Sequence, residues 1–264
     1  MRASPLKLVG WTLFVIAVVV FLMSPIAVLI FSAFDDGKFF RFPPRVLSLR
    51  WFEAAFASAE YQRSLFNSTV LALAATLIAL VIGTLAALAI VRSNISNKLA
   101  IELLLLAPLT LPLIVWAIAL LQIYARLGVS GSLGGLILAH ATITLPYTAR
   151  IMIATLGQID PNLEAAAKSL GAPPLTAFAR ITLPIALPGL LTSAAFSFLV
   201  SFNDVVVSTF IAGSSWITFP VRLYSQLRGQ GIDPITLAIG AMIIGSILLV
   251  VLVGEVLFKW SRRV

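Results

Sequence analysis

The chain has 264 residues, 60% hydrophobic and only 11% charged, far more apolar side chain than one soluble core of this length can bury, so composition excludes an ordinary soluble domain and calls for lipid. Its net charge of +8 is scattered over span ends and loops without a basic stripe, which argues against nucleic acid and for anionic headgroups as the partner. There is no cysteine, which removes disulfides, thiolate metal sites and cysteine nucleophiles.

Charge-free stretches cover residues 8–34, 64–91, 103–125, 127–149, 181–203 and 235–254. Each is near or above the roughly 20 residues that cross hydrocarbon as a helix. Backbone groups in lipid must satisfy one another, and the periodicity is helical rather than alternating, so the expected fold is an all-α membrane bundle. Six spans are predicted, at 8–34, 64–91, 99–125, 131–156, 186–211 and 235–258, in one membrane domain covering 1–264.

The first span follows Arg2 and Lys7, but its apolar run is too long for a signal h-region and no small-x-small cleavage site follows, so it reads as a retained span. Lys259, Arg262 and Arg263 follow the last span, and an even number of spans with basic flanks places both termini in the cytoplasm. The first outer loop opposes this weakly, since Lys38, Arg41, Arg45, Arg50 and Arg63 lie there, partly offset by Asp35, Asp36, Glu53 and Glu60. Within it, residues 48–58 carry Trp51, Phe52 and Phe56 in a pattern that predicts a short amphipathic helix at the interface. The second outer loop, 127–135, is rich in Gly and Ser and turns. The fourth span carries His140, Thr144, Tyr147 and Thr148 at helical spacing; a lone histidine so placed is more often a packed, hydrogen-bonded residue than a ligand or proton relay.

A polar island at 157–185 interrupts the apolar runs. Asp160 can cap a helix begun by Pro161, and Gly171 can end it in the left-handed conformation. Ala165 and Ala166 leave little side chain on that helix, so another protein's surface can come close, while Pro173 and Pro174 fix the exit direction. Pro184, with Pro188 and Gly189 after it, is placed to begin or kink the fifth span.

In that span Ser193, Ser197, Ser201, Asp204 and Ser208 recur at steps of three and four, a polar stripe on one helical face. A carboxylate inside hydrocarbon is costly unless it faces a water-filled cavity or a partner charge. Two readings stay open: a translocation path suited to a cationic substrate, or serines that permit close helix packing with Asp204 hydrated near the outer end. The third outer loop, 213–234, holds Trp216, Pro220, Arg222, Tyr224, Arg228 and Asp233 and suits either a soluble partner or a cap over the outer mouth. No carboxylate pair, metal-ligand cluster or nucleophile and base set falls within a span, so nothing supports covalent chemistry.

The register Glu164-Ala165-Ala166, Gly171 and Ile181-Thr182-Leu183-Pro184 resembles the EAA signature of permease subunits in bacterial ATP-binding-cassette (ABC) importers. That resemblance implies the six-helix, MetI-like fold of type I importers and a non-catalytic subunit in the bacterial inner membrane. It makes 157–185 the coupling loop, with Glu164, Ala165, Ala166, Gly171, Arg180, Ile181, Leu183 and Pro184 facing an ATPase. The chain has no Gly-x-x-x-x-Gly-Lys-Ser/Thr loop, so ATP and Mg belong to a separate ATPase dimer. A second homologous permease, giving a heterodimer, and a periplasmic or lipid-anchored solute-binding protein complete the implied assembly.

Residues 201–213, 218–225 and 233–238 are similar to the second permease of spermidine and putrescine importers, although Asn203 and Phe219 depart from that branch. The polar faces of the fourth and fifth spans give the candidate substrate path: Asp204, Ser201, Ser197, Ser208, Asn203, His140 and Tyr147. Opine, phosphonate, 4-aminobutyrate and iron(III) importers share much of the pattern and are the alternatives. A stand-alone carrier or channel is the rival class, but it would be expected to show charged residues in several spans and two related halves.

Overall fold

The computed structural model describes residues 5–231 and 233–258. Arg2, Lys259, Arg262 and Arg263, and the side chain of Lys7, lie outside what is described, so the orientation expectation built on them stays an expectation. The described residues are almost entirely helical, with one isolated bridge between Asp35 and Leu47. The chain divides into two compact units: residues up to Gln62 together with those from Ser225 onward, and Arg63–Tyr224.

In the first unit α1 (Pro5–Ala33) and α12 (Pro234–Phe258) pack through Leu29, Ala33, Leu237 and Ala241. Gly240 helps, since a Cβ there would already touch Leu29 at 3.4 Å. Asp233 starts α12 by accepting the backbone N–H of Ile235 at 3.0 Å. The predicted amphipathic helix is α2 (Arg50–Ala57): Phe52 packs on Phe34 with ring centroids 4.8 Å apart, while Phe56 is exposed. The preceding loop is pinned by Asp35, whose carboxylate accepts from the backbone N–H groups of Arg45 and Gly37. Those bonds, that of Arg45 first, hold its carboxyl below the ordinary carboxylate range.

The second unit contains most of α3 (Ala59–Arg92), then α4 (Lys98–Leu106), α5 (Leu113–Leu127) and α6 (Leu133–Gly157). Beyond these come α7 (Asn162–Ser169), α8 (Pro174–Ala177), α9 (Leu183–Phe202) and α10 (Val206–Ile211), and α11 (Phe219–Gln230) begins at its end. The central element is α6, packed on α9 along its length and buried on most sides because small residues let its neighbours approach. A Cβ at Gly83 of α3 would meet Thr148 Cγ2 at 2.7 Å, and one at Gly189 of α9 would meet Thr155 Cγ2 at 2.6 Å.

Among the described residues four helices are long and apolar enough to cross a membrane, and a fifth span results if a bent pair counts as one; α12 adds a shorter apolar helix over Pro234–Ser246. The expected spans differ from the observed helices in two places. The third expected span, 99–125, is not one helix: α4 with the 3₁₀ turn Ala107–Leu109 bends by 98° from α5. Pro112 has no N–H to continue the ladder and its ring disfavours α backbone at Leu111. The fifth, 186–211, begins earlier and breaks sooner. Helix runs from Pro174 to Phe202 and stops at Asn203, so residues 175–185 are helical and continuous with the fifth span. A π-helical turn, Phe178–Thr182, carries it past Pro184: Leu183 donates its N–H back to Phe178, a register that accommodates the bond Pro184 cannot make.

The third outer loop is also more regular than expected. Its far part is α11, and its near part is tied to α3 by Asn67 Nδ2, which donates to the carbonyls of Ser215 and Ile217 at 3.2 and 3.1 Å. The second outer loop turns through Gly128 and Gly131, both at positive φ, as its composition predicted.

Candidate functional site: a coupling helix and a carboxylate-lined cavity

The polar island forms α7 with the caps read from sequence. Asp160 Oδ1 accepts from the N–H of Asn162 at 2.9 Å. Gly171, at φ 91°, closes a Schellman turn in which Gly171 N–H reaches Lys168 O and Ala172 N–H reaches Ala167 O, each at 3.0 Å. Ala165 and Ala166 are exposed, and so are the apolar tips of Leu163, Leu170 and Leu175 around them. Arg180, Leu183 and Pro184 are exposed on the π turn and the start of α9, with Ile181 half-buried.

Glu164 is engaged inside the chain. Its Oε1 accepts a hydrogen bond from the Thr182 hydroxyl, and its Oε2 takes one from Lys168 Nζ at 3.3 Å, the helix neighbour four residues on. The Thr182 bond holds the Glu164 carboxyl below its ordinary value against the opposing effect of partial burial, and the nearby cations Lys168 and Arg92 add to it. Arg92, at the end of α3, donates to the Ile159 carbonyl at 3.2 Å and so ties α3 to the entry of α7. Sequence reasoning missed Thr182 and Arg92. Thr182 occupies the unspecified position of Ile-x-Leu-Pro and is fully buried, and the only signal for it was a hydroxyl among apolar neighbours.

The second place is a cavity of about 480 Å³ in the Arg63–Tyr224 unit, walled by Pro108, Leu109, Leu111 and Leu113 at the bend before α5 and by Ile143 of α6. Val200, Val205 and Val206 close it, and Tyr147, Asn203 and Asp204 supply its polar groups. Asp204 sits in the break between α9 and α10, where Oδ2 accepts the N–H of Ser208 at 2.8 Å and Oδ1 that of Val207 at 3.3 Å. It is therefore the cap of α10 as well as the one carboxylate at the cavity wall. Only 6% of the residue is exposed.

The other predicted path residues lie behind that wall. Ser193, Ser197, Ser201 and Ser208 are buried in the seam between α6 and the α9–α10 pair, together with His140, Thr144 and Thr148. Thr148 pairs with Ser197 at 2.9 Å, and His140 pairs with Ser201 through Nδ1 at 2.8 Å and with Ser208 through Nε2 at 3.0 Å. The stripe thus divides: Asp204 and Asn203, with Tyr147, reach the cavity, and the hydroxyls of Ser197, Ser201 and Ser208 pair with α6.

The profile of the family described as binding-protein-dependent transport system inner membrane component matches residues 79–263. The chain belongs to that family. It is the non-catalytic membrane permease subunit of an ABC importer, and such subunits work with an ATPase, a second permease subunit and a binding protein. It is 32% identical over 240 residues to the spermidine/putrescine transport system permease protein PotC of Haemophilus influenzae, covering 90% of this chain and 93% of that one. It is 28% identical to the putrescine transport system permease protein PotI of Escherichia coli, covering 86% and 83% of the two chains. It is 29% identical to the trehalose transport system permease protein SugB of Mycobacterium tuberculosis, covering 88% and 83%. A solved bacterial ABC transporter that imports the acidic polysaccharide alginate shares the fold, with TM-score 0.73, 16% identity and coverage of 98% of this chain and 99% of that one.

Proposed function

We propose that this permease passes a polyamine or related small amine, and that Asp204 at the cavity wall is the observation that carries the choice. Identity alone does not choose, since relatives named for polyamines and one named for a neutral sugar lie at similar distance. A carboxylate with Asn203 and a half-buried tyrosine in a mostly apolar wall offers an ammonium group a charge partner and a ring face. The same carboxylate repels phosphonates and opines, and among the described residues no group of three His, Asp or Glu side chains stands ready for iron(III). A 4-aminobutyrate carries both charges and ranks behind a polyamine.

The assembly that fits this reading lies in the bacterial inner membrane with both termini cytoplasmic. The whole chain acts as one membrane domain forming half of the path, a homologous permease forms the other half as a heterodimer, and a periplasmic or lipid-anchored binding protein delivers substrate. ATP and Mg sit on a cytoplasmic ATPase dimer. The exposed surface of α7, with Ala165, Ala166 and Gly171 and the flanking Arg180, Ile181, Leu183 and Pro184, docks in that dimer. Motion of α7 reaches α9 through the bond from Thr182 to Glu164.

The test is ATPase activity of the complex purified through this chain and reconstituted with its binding protein. The additions are spermidine, putrescine, 4-aminobutyrate, an opine, a phosphonate and iron(III). Stimulation by a polyamine is expected. Stimulation by another solute moves the substrate, and a purified chain that brings no ATPase with it contradicts the assembly.

A further inference from the structure

We propose that His140 is a positioning residue: it clips the two halves of the broken fifth span together and thereby fixes the Asp204 carboxylate at the cavity wall. The need for a clip follows from the break. Between Phe202 and Val206 the helical ladder lapses: Asn203 N–H reaches Leu199 O at 3.0 Å and Asp204 N–H reaches Ser201 O at 3.4 Å, and both bonds point back into α9 rather than across to α10. The Asp204 carboxylate is held by N–H groups of α10, so any swing of α10 carries the charge with it.

His140 is placed to prevent that swing. Nδ1 pairs with Ser201 in α9 at 2.8 Å, and Nε2 pairs with Ser208 in α10 at 3.0 Å. A neutral imidazole has one donor and one acceptor nitrogen, serine hydroxyls can play either part, and the ring is rigid. The two serines are therefore held at a fixed span from a third helix that is itself packed tightly at Thr148. Nε2 also lies 3.6 Å from Asp204 Oδ2, beyond a hydrogen bond yet close enough to keep the carboxylate on its side of the break. His140 is fully buried and does not line the Asp204 cavity, so it acts through Asp204 rather than on substrate.

The transport arm of this proposal rests on Asp204 facing the substrate; the geometric arm does not. Because the chain has no native cysteine, Asn203→Cys in the assembled complex reports the break directly through its rate of reaction with a cationic methanethiosulfonate. Loss of a buried hydrogen-bonding partner is expected to raise that rate about fivefold in His140→Ala, and less in Ser208→Ala, which removes one arm only. In the uptake assay with native Asn203, His140→Ala is expected to raise KM about tenfold with Vmax changed by less than about twofold, the signature of a misplaced binding group. His140→Gln, whose amide nitrogen reaches where Nε2 stood, is expected to restore the labelling rate more fully than His140→Asn. Unchanged labelling in both His140→Ala and Ser208→Ala overturns the clip. If labelling changes but KM for a polyamine does not, and Asp204→Asn is equally silent, the clip stands and the polyamine reading fails.

Discussion

Helix α9 is held near each end by one acidic residue, and the two are held in opposite ways. Glu164 reaches the base of α9 through a side chain alone, the Thr182 hydroxyl, while its other oxygen takes the ammonium of Lys168 in its own helix, beside exposed leucines. Asp204, just past the other end, is held by backbone N–H groups at the start of α10 and is almost wholly buried. A bond between two side chains can be exchanged without moving either backbone, whereas a cap fixed by backbone geometry does not move without its helix. On the proposed function, the first end serves as a joint and the second as a fixed charge. That difference fits a subunit that takes up motion on one side and presents a binding group on the other.

The largest break in the comparison comes from Gly171→Pro. Proline cannot adopt φ near 91° and lacks the N–H that bonds Lys168 O, so the exit of α7 is lost. Uptake in proteoliposomes is expected to disappear while membrane insertion persists; normal uptake refutes the joint. Next is Asp204→Asn, which keeps a cap oxygen and removes the charge. KM for a polyamine is expected to rise about tenfold, the worth of one charge-assisted bond, and unchanged uptake kinetics return Asp204 to a purely structural role.

A smaller effect is expected from Thr182→Val, which deletes the main cause of the lowered Glu164 pKa. The carboxyl titrates below its ordinary value of 4.5 in the folded chain, so its stabilising contribution is complete above that value and is lost as pH falls through the depressed one. Melting temperature followed from pH 7 down through this acid range should fall more steeply in the wild type than in Thr182→Val, and parallel profiles contradict the bond. Smallest is Ser197→Ala in the seam, expected to cost about 0.6 kcal/mol, the mean for an interhelical bond in a membrane protein. A loss of transport there with unchanged stability would place Ser197 in the path after all.

Much of α7 was legible in the sequence, because its signals are local: Asp160 before the helix, Gly171 after it, alanines on its surface. The cavity was half legible. Serines at steps of three and four announce a polar face, but periodicity does not say which neighbour that face meets, and α6 supplies His140 and Thr148 to meet most of it. Nor could periodicity reveal the break, since Ser201, Asp204 and Ser208 keep helical spacing straight through Asn203–Val205 although the ladder lapses there. The start of the fifth span was hidden by Pro184, which reads as a helix start. The π turn, visible only in three dimensions, lets helix run past it from Pro174.

The joint itself can be tested most directly at Ala166, an exposed position of α7 in a chain without native cysteine. Ala166→Cys in the complex purified through this chain, treated with a short bifunctional thiol reagent, is predicted to give one cross-linked species containing this subunit and its ATPase, with the yield changing when ATP and Mg are added. A complex that retains its ATPase yet gives no such species, with the introduced thiol freely labelled in every nucleotide state, would contradict the account.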